Sequence, residues 1–203
     1  MVSVASELQG GFADATRAAQ STFRLVMEAM ARPGSVRQID VAIGRPSSLM
    51  PAAAAIALAL FDHDTPIWLD AHLSRAADVG AWLKFHTGAP VVSDPARASF
   101  ALVSVPDGLP DLTAFALGTA EYPDRSTTLI LQVPSLARGQ AFQLRGPGID
   151  GTTSLCATID PDDLFQRLSI NATLFPRGID VVLVDDRSVV AIPRTTRLVT
   201  AGG

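Results

Sequence analysis

The sequence predicts an α/β protein in which helices cover both faces of a mixed sheet. Helical and strand-like segments alternate along the 203 residues, an order typical of this class. Residues 128–133 are nearly all apolar, as expected of an inner strand covered on both faces. Two apolar segments near the C-terminus, separated by Asp-Asp-Arg-Ser, predict a closing hairpin. The length suits one core, so we expect residues 1–203 to form a single α/β domain.

The first predicted helix covers residues 14–31. Asp14 is a suitable N-cap, and Pro33-Gly34 ends the helix because proline disfavours helical geometry in the residue before it. Apolar residues recur every three or four positions, which predicts one core-facing stripe. That stripe consists of Phe12, Ala15, Ala19, Phe23, Val26 and Met30, and Met27 is also expected in the core.

The other predicted helices have recognisable ends. Ser47 or Ser48 caps a second helix with Pro51 in its first turn, and this helix is apolar all round and must be buried. Ser74 caps a third helix that ends near His86. A short helix is predicted over 110–118, and a last one starts at Asp160-Pro161 and runs to about 174. The predicted strands are 35–39, 65–70, 98–105, 127–133, 140–144, 179–184 and 189–193.

Composition restricts the function classes. The net charge is −4 and no basic block is present, which argues against a nucleic-acid-binding protein. The longest apolar run, residues 50–61, is too short to span a membrane, and the first residues do not predict a signal peptide. A single cysteine, Cys156, suits a reducing cytoplasm. Only 18 % of residues are charged, so apolar surface and partner subunits are expected.

Arginine supplies fifteen of the sixteen basic residues and suggests an anion site. Its guanidinium presents a fixed fork of donors that matches carboxylate and phosphate groups. Interfacial salt bridges are the competing interpretation, since arginine is also enriched at interfaces. The residues predicted to bind an anion or phosphate lie in two polar segments and just before Gly178: Arg125, Ser126, Arg177, Arg194, Thr195, Thr196 and Arg197.

Two further motifs are weaker. Asp62, His63 and His86 are metal-ligand types and would support a stand-alone metal-dependent enzyme, although aspartates are also common in turns. Gly146-Pro147-Gly148 could expose backbone N–H groups to phosphate, but it lacks the phosphate-loop pattern and is better explained as a tight turn.

Six segments, in this order, resemble the PhnH family of the bacterial carbon–phosphorus lyase system. They are FRLVMEAMARPG (23–34), LALFDHDTPIWLD (58–70), LKFHTGAP (83–90), AEYPDRSTTLILQV (120–133), LRGPGI (144–149) and FPRGIDVVLVDDRSVVAIPRTT (175–196). Together they cover most of the chain. The resemblance implies a three-layer α/β/α fold like the large domain of pyridoxal-phosphate-dependent transferases.

The resemblance also implies a function within an assembly. Members of the family form homodimers and join PhnG, PhnI and PhnJ homologues in a carbon–phosphorus lyase core complex. With PhnG, PhnI and PhnL, the family supports synthesis of ribose 1-methylphosphonate 5-triphosphate from ATP and alkylphosphonate. We therefore expect an architectural subunit without a catalytic residue of its own, which meets ATP or alkylphosphonate only within the complex. An interaction protein without any ligand is a further alternative.

The implied fold raises the question of pyridoxal phosphate, which enzymes hold as a Schiff base to lysine. Lys84 is the only lysine, and it lies inside a helical segment, where a solvated side chain is the simpler interpretation. Pyridoxal phosphate is therefore not expected as a cofactor. No metal is expected either.

Overall fold

The computed structural model describes residues 10–104, 109–159 and 161–199. The α-helices are α1 (Ala15–Ala31), α2 (Pro51–Leu60), α3 (Ala71–Arg75), α4 (Ala77–Thr87) and α5 (Pro161–Thr173). The strands are β1 (Gly11–Phe12), β2 (Arg37–Gln38), β3 (Ile43–Gly44), β4 (Ile67–Leu69), β5 (Phe100–Val103), β6 (Thr128–Gln132), β7 (Gln140–Arg145), β8 (Thr153–Ala157), β9 (Asp180–Val184), β10 (Ser188–Ile192) and β11 (Arg197–Val199).

A six-stranded mixed sheet forms the centre, in the order β2-β10-β9-β6-β5-β4. Strands β4, β5, β6 and β9 are parallel to one another, β10 runs antiparallel to β9, and β2 pairs antiparallel with β10. The α/β class and the mixed sheet are thus confirmed. Strand β6 lies between β5 and β9, as its apolar sequence predicts, and β9 and β10 form the expected antiparallel pair.

Alternate residues of the central strands face two separate cores, as the two-residue period of a strand requires. Leu102, Ile130 and Val182 face a core shared with α1 to α4, which contains the fully buried Trp82. Helix α2 is buried throughout residues 52–57, which explains why its sequence is apolar all round. The neighbouring strand residues belong to the second core.

The layer over the second face differs from the predicted three-layer α/β/α arrangement. Helix α5 covers part of this face, and a three-stranded antiparallel sheet in the order β11-β7-β8 covers the rest. The sequence did not predict β8 or β11. Phe142, Leu144 and Leu155 of the small sheet pack against the second core, so this outer layer is part helix and part sheet.

Two helix starts differ from the prediction, one because of a side chain that is distant in sequence and one because of a different local cap. Met50, not Ser47 or Ser48, occupies the N-cap of α2, and its N–H donates to the side-chain oxygen of Gln132. The predicted third helix is instead two helices, α3 and α4. Asp70, not Ser74, caps α3 by accepting from the Leu73 N–H at 2.7 Å.

The apolar stripe of α1 is rotated from its predicted position. Thr22, Val26 and Ala29 are the buried residues of the helix, whereas Phe23 and Met27 are each 50 % exposed. The prediction that Phe23 and Met27 lie in the core is therefore wrong. The i, i+4, i+7 spacing of the buried set includes a threonine, which an apolar pattern alone does not count.

Other boundaries are shorter than predicted. The helix expected over 110–118 is a single 3-10 turn at Leu112–Ala114, and the strand expected over 35–39 has two residues. Residues 105 and 160, at the ends of a predicted strand and helix, lie outside the described residues. In the described parts of the chain, no helix is long and apolar enough to cross a membrane.

Candidate functional site

Two tight turns meet beside the small sheet. One follows β7 at residues 146–149, closed by the Ile149 N–H donating to the Gly146 carbonyl at 3.1 Å, and the other links β10 to β11. Gly146 has a φ of +154°, and a Cβ there would lie 3.0 Å from the Thr195 carbonyl oxygen. Glycine therefore lets the two turns approach closely. The geometry of Gly146-Pro147-Gly148 is that of a tight turn packed on another segment.

This approach places two arginines directly opposite each other. Arg145 ends β7, Arg197 begins β11, and the two are Cα partners in the antiparallel ladder. Both are exposed, and among the described residues neither side chain has a hydrogen bond or a carboxylate within 4.0 Å. Like charges directly opposite on adjacent strands repel each other. The pair therefore concentrates positive charge that the described part of the chain does not neutralise.

A cavity of about 500 Å³ adjoins this pair. Its apolar wall includes Phe175, a large aromatic side chain that is 62 % exposed. Among the described residues, its lining includes three arginines and Thr195 but no aspartate or glutamate. The described residues that line it are Arg145, Gly146, Pro147, Ala172, Phe175, Arg194, Thr195, Arg197 and Val199.

The Arg194 side chain also lines the cavity, but its donors are already hydrogen-bonded to other groups of the protein. Its Nε and Nη2 donate to the two carboxylate oxygens of Asp180 at 3.1 and 2.6 Å. Its Nη1 donates to the Pro123 carbonyl and its Nη2 to the Ser126 hydroxyl, both at 2.6 Å. The two charged side chains are only 13 % and 15 % exposed. Arg194 therefore links the start of β9 to the segment before β6, and its charge is balanced by Asp180.

The remaining predicted anion-site residues do not converge on one point. The Arg125 guanidinium lies 4.2 Å from the centre of the Tyr122 ring, a cation–π contact. Arg177 is exposed and does not line the cavity. Thr196 is buried, and its hydroxyl has no hydrogen-bond partner among the described residues.

Of the seven predicted residues, the structure gathers Arg194, Thr195 and Arg197 around the cavity. Arg145 was missed. Its position in the LRGPGI segment gave no signal, since β11 was not predicted and the pairing of Arg145 with Arg197 depends on it.

The residues of the metal hypothesis serve other purposes. Asp62 accepts from the Asp64 N–H at 2.9 Å in a local turn, and His63 pairs with Asp64 at the surface. The His86 ring lies 4.8 Å from that of Trp82. Across the described residues, no three His, Cys, Asp or Glu side chains form a group that could hold a metal. The metal hypothesis is therefore wrong in bringing Asp62, His63 and His86 together.

Lys84 does not have the surroundings that pyridoxal phosphate requires. It is exposed on α4, beside a cavity lined by Ser74 and others of the described residues, none of which is an acid for the pyridine nitrogen or an arginine for the phosphate. The residues present do not fit that cofactor.

A polar cluster lies at the carboxyl ends of β4 and β5, where parallel sheets often bind ligands. The buried Asp70 carboxylate accepts from the Ser104 N–H at 2.6 Å and from its hydroxyl at 3.0 Å. His72 Nδ1 lies 3.0 Å from the same hydroxyl. Asp70 also caps α3, so this cluster connects the strand ends to the helix.

Comparison with known proteins supplies the biological context. Residues 10–199 match the family described as "Bacterial phosphonate metabolism protein (PhnH)". The chain is 43 % identical over 189 residues to "Alpha-D-ribose 1-methylphosphonate 5-triphosphate synthase subunit PhnH" of Rhizobium meliloti (strain 1021), covering 93 % of this chain and 94 % of that protein. It is 37 % identical over 83 residues to "Putative C-P lyase subunit protein HtxG" of Stutzerimonas stutzeri, covering 40 % of this chain and 42 % of that protein.

Proposed function

Since this chain belongs to the PhnH family, we propose that it is a subunit of a bacterial phosphonate-catabolic assembly that makes ribose 1-methylphosphonate 5-triphosphate. The observation that carries this proposal is the 43 % identity to a relative named as a subunit of that synthase, over 93 % of the chain. We propose PhnG, PhnI and PhnJ homologues as its partners, a homodimer as its own state, and the cytoplasm as its location.

The proposed role is architectural. The Arg194 guanidinium is ion-paired with Asp180. The one lysine is exposed, and none of the described residues that line the cavity beside it is an acid that could pair with the ring nitrogen of a Schiff-base cofactor. The described residues also hold no group of metal-ligand side chains. We propose that the fold is a cofactor-free relative of the large domain of pyridoxal-phosphate-dependent transferases, a likeness that the mixed α/β sheet supports in outline only.

Exposed apolar side chains support a place in a larger assembly. Phe23 and Met27 are half exposed on α1, Phe85 is 65 % exposed on α4, and Ile170 is 48 % exposed on α5. These residues lie on helices on both sides of the central sheet. Large apolar side chains exposed on several faces are expected where partner subunits cover the surface.

Co-expression with an affinity tag on this chain tests the proposal. We expect co-expressed PhnG, PhnI and PhnJ homologues to co-purify at fixed stoichiometry and to remain bound through size exclusion. A tagged α/β protein of similar size, expressed with the same partners, is the control. If none of the three homologues is retained, the assembly role is wrong. Light scattering of the chain alone measures whether it is a homodimer.

A second experiment tests the architectural role. The isolated chain is incubated with ATP and methylphosphonate, and products are followed by phosphorus NMR. We expect turnover only when the partner subunits are added. Turnover by the pure chain, or a stoichiometric metal in it by elemental analysis, would establish an enzyme instead.

A further inference from the structure

We propose that Arg145 and Arg197 form a binding site for a phosphoryl anion, with the adjoining cavity holding the rest of the ligand. This inference is independent of the assembly role, because it concerns the isolated chain.

The first step of the argument is the register of β7 and β11. Directly opposed residues on antiparallel strands have Cα atoms about 5 Å apart, so the two side chains start from neighbouring positions. Two positive charges in that arrangement repel each other. A bound anion between them replaces this repulsion with two attractions, and each guanidinium offers a fork that matches phosphoryl oxygens.

The second step is the charge balance around the cavity. Its third arginine, Arg194, is neutralised by Asp180, and no carboxylate is found among the described residues of its lining. Arg145 and Arg197 therefore set the sign of the field there. Because no other described residue accepts a hydrogen bond from either guanidinium, binding an anion would break no existing contact of these side chains.

The third step concerns the class of ligand. A cavity of about 500 Å³ is larger than a lone phosphate needs and falls within the range of small-molecule sites. The half-buried Thr195 adds a hydroxyl that can donate or accept, and Phe175 provides an apolar wall. These features suit a phosphate chain or a phosphonate with an organic part attached.

Isothermal titration calorimetry of the full chain at low ionic strength tests the site. The probes are inorganic tripolyphosphate, standing for a triphosphate chain, and methylphosphonate. We expect saturable binding of at least one, weakened roughly tenfold or more by Arg145→Gln and by Arg197→Gln, since each removes charge-assisted hydrogen bonds. Tighter binding of tripolyphosphate assigns the cavity to a triphosphate chain, and tighter binding of methylphosphonate assigns it to a phosphonate.

Arg138→Gln is the matched control, because Arg138 is an exposed arginine near the opposite end of β7 and its loss changes net charge equally. It should bind like the wild type. Both test arginines are exposed and unpaired, so their variants should unfold at the wild-type denaturant concentration, which separates lost binding from lost folding. No binding of either probe at millimolar concentration, or an equal loss in Arg138→Gln, would overturn the inference.

Discussion

Replacing Arg194 by alanine should be strongly destabilising, although arginine is usually a surface residue. The substitution removes four side-chain hydrogen bonds and leaves the Asp180 carboxylate, only 15 % exposed, without its cationic partner. Breaking a buried ion pair on one side costs about 3–5 kcal/mol. We expect the lower end, about 3 kcal/mol, because the Arg194 backbone N–H still donates to Asp180 and some water reaches the site.

Urea unfolding followed by circular dichroism measures this loss. With a slope of about 2 kcal/mol per molar, the expected loss lowers the midpoint by about 1.5 M. Arg194→Lys should fall between the two proteins, since lysine keeps the charge but cannot bridge Asp180, Pro123 and Ser126 with one fork. If the alanine variant is too unstable to purify, Ser126→Ala removes one acceptor and should cost about 1 kcal/mol.

Arg197→Gln is the internal control, because the same motif places this arginine at the surface without a partner among the described residues. Its cost should stay within about 0.5 kcal/mol. A loss below about 1 kcal/mol for Arg194→Ala, or equal losses in the two variants, would refute the assignment of Arg194 as a structural link.

Three further predictions follow from other parts of the fold. Asn171→Ala should cost about 3 kcal/mol in urea unfolding, because the buried Asn171 amide pairs with both the N–H and the C=O of Ile179, each at 2.9 Å. Gly80→Ala should raise stability by about 0.5–1 kcal/mol, since Gly80 lies within α4 and an added Cβ would meet no atom within 4 Å. Added pyridoxal phosphate should produce no saturable absorbance band that Lys84→Ala abolishes, because the cavity beside Lys84 has no acidic or arginine side chain to hold that cofactor.

The two stability predictions each have a control in the same chain. Thr173→Ala, at the exposed end of α5, should change stability by no more than about 0.5 kcal/mol, and a cost equal to that of Asn171→Ala would contradict the role of the amide. Gly151→Ala also meets no atom, but its φ of +67° is strained for alanine. Stabilisation by both glycine substitutions would therefore be inconsistent with the backbone argument.

The central sheet could be predicted because its signals are local and unambiguous. The apolar run of β6 and the hairpin of β9 and β10 contain β-branched residues at strand length with polar breaks between them. Strands β8 and β11 lack such a signal. Strand β8 reads Thr-Ser-Leu-Cys-Ala, and β11 has three residues, so both depend on pairing with β7 rather than on their own propensity.

The start of α2 also depends on a residue that is distant in sequence. Sequence reasoning assigned caps to the nearest serines, because capping is usually a local interaction. In the structure Gln132, which is 82 positions from Met50, accepts from the N–H of this N-cap residue of α2 and donates to the Ser48 carbonyl at 3.1 Å. The sequence around a helix start does not predict that a side chain from a distant strand will hydrogen-bond to it.

Chemically equivalent arginines in the candidate site differ in their interaction partners. Arg194 and Arg197 lie three positions apart in one motif, and the sequence pattern predicts anion binding for both. The Arg194 side chain donates hydrogen bonds to Asp180 and Ser126, whereas the register of β11 on β7 places Arg197 opposite Arg145. Arg194 also holds the turn that begins β11 in place, so its loss should weaken anion binding indirectly. Arg194→Ala should therefore weaken anion binding and lower the free energy of unfolding. Arg197→Gln should weaken anion binding with little change in the free energy of unfolding.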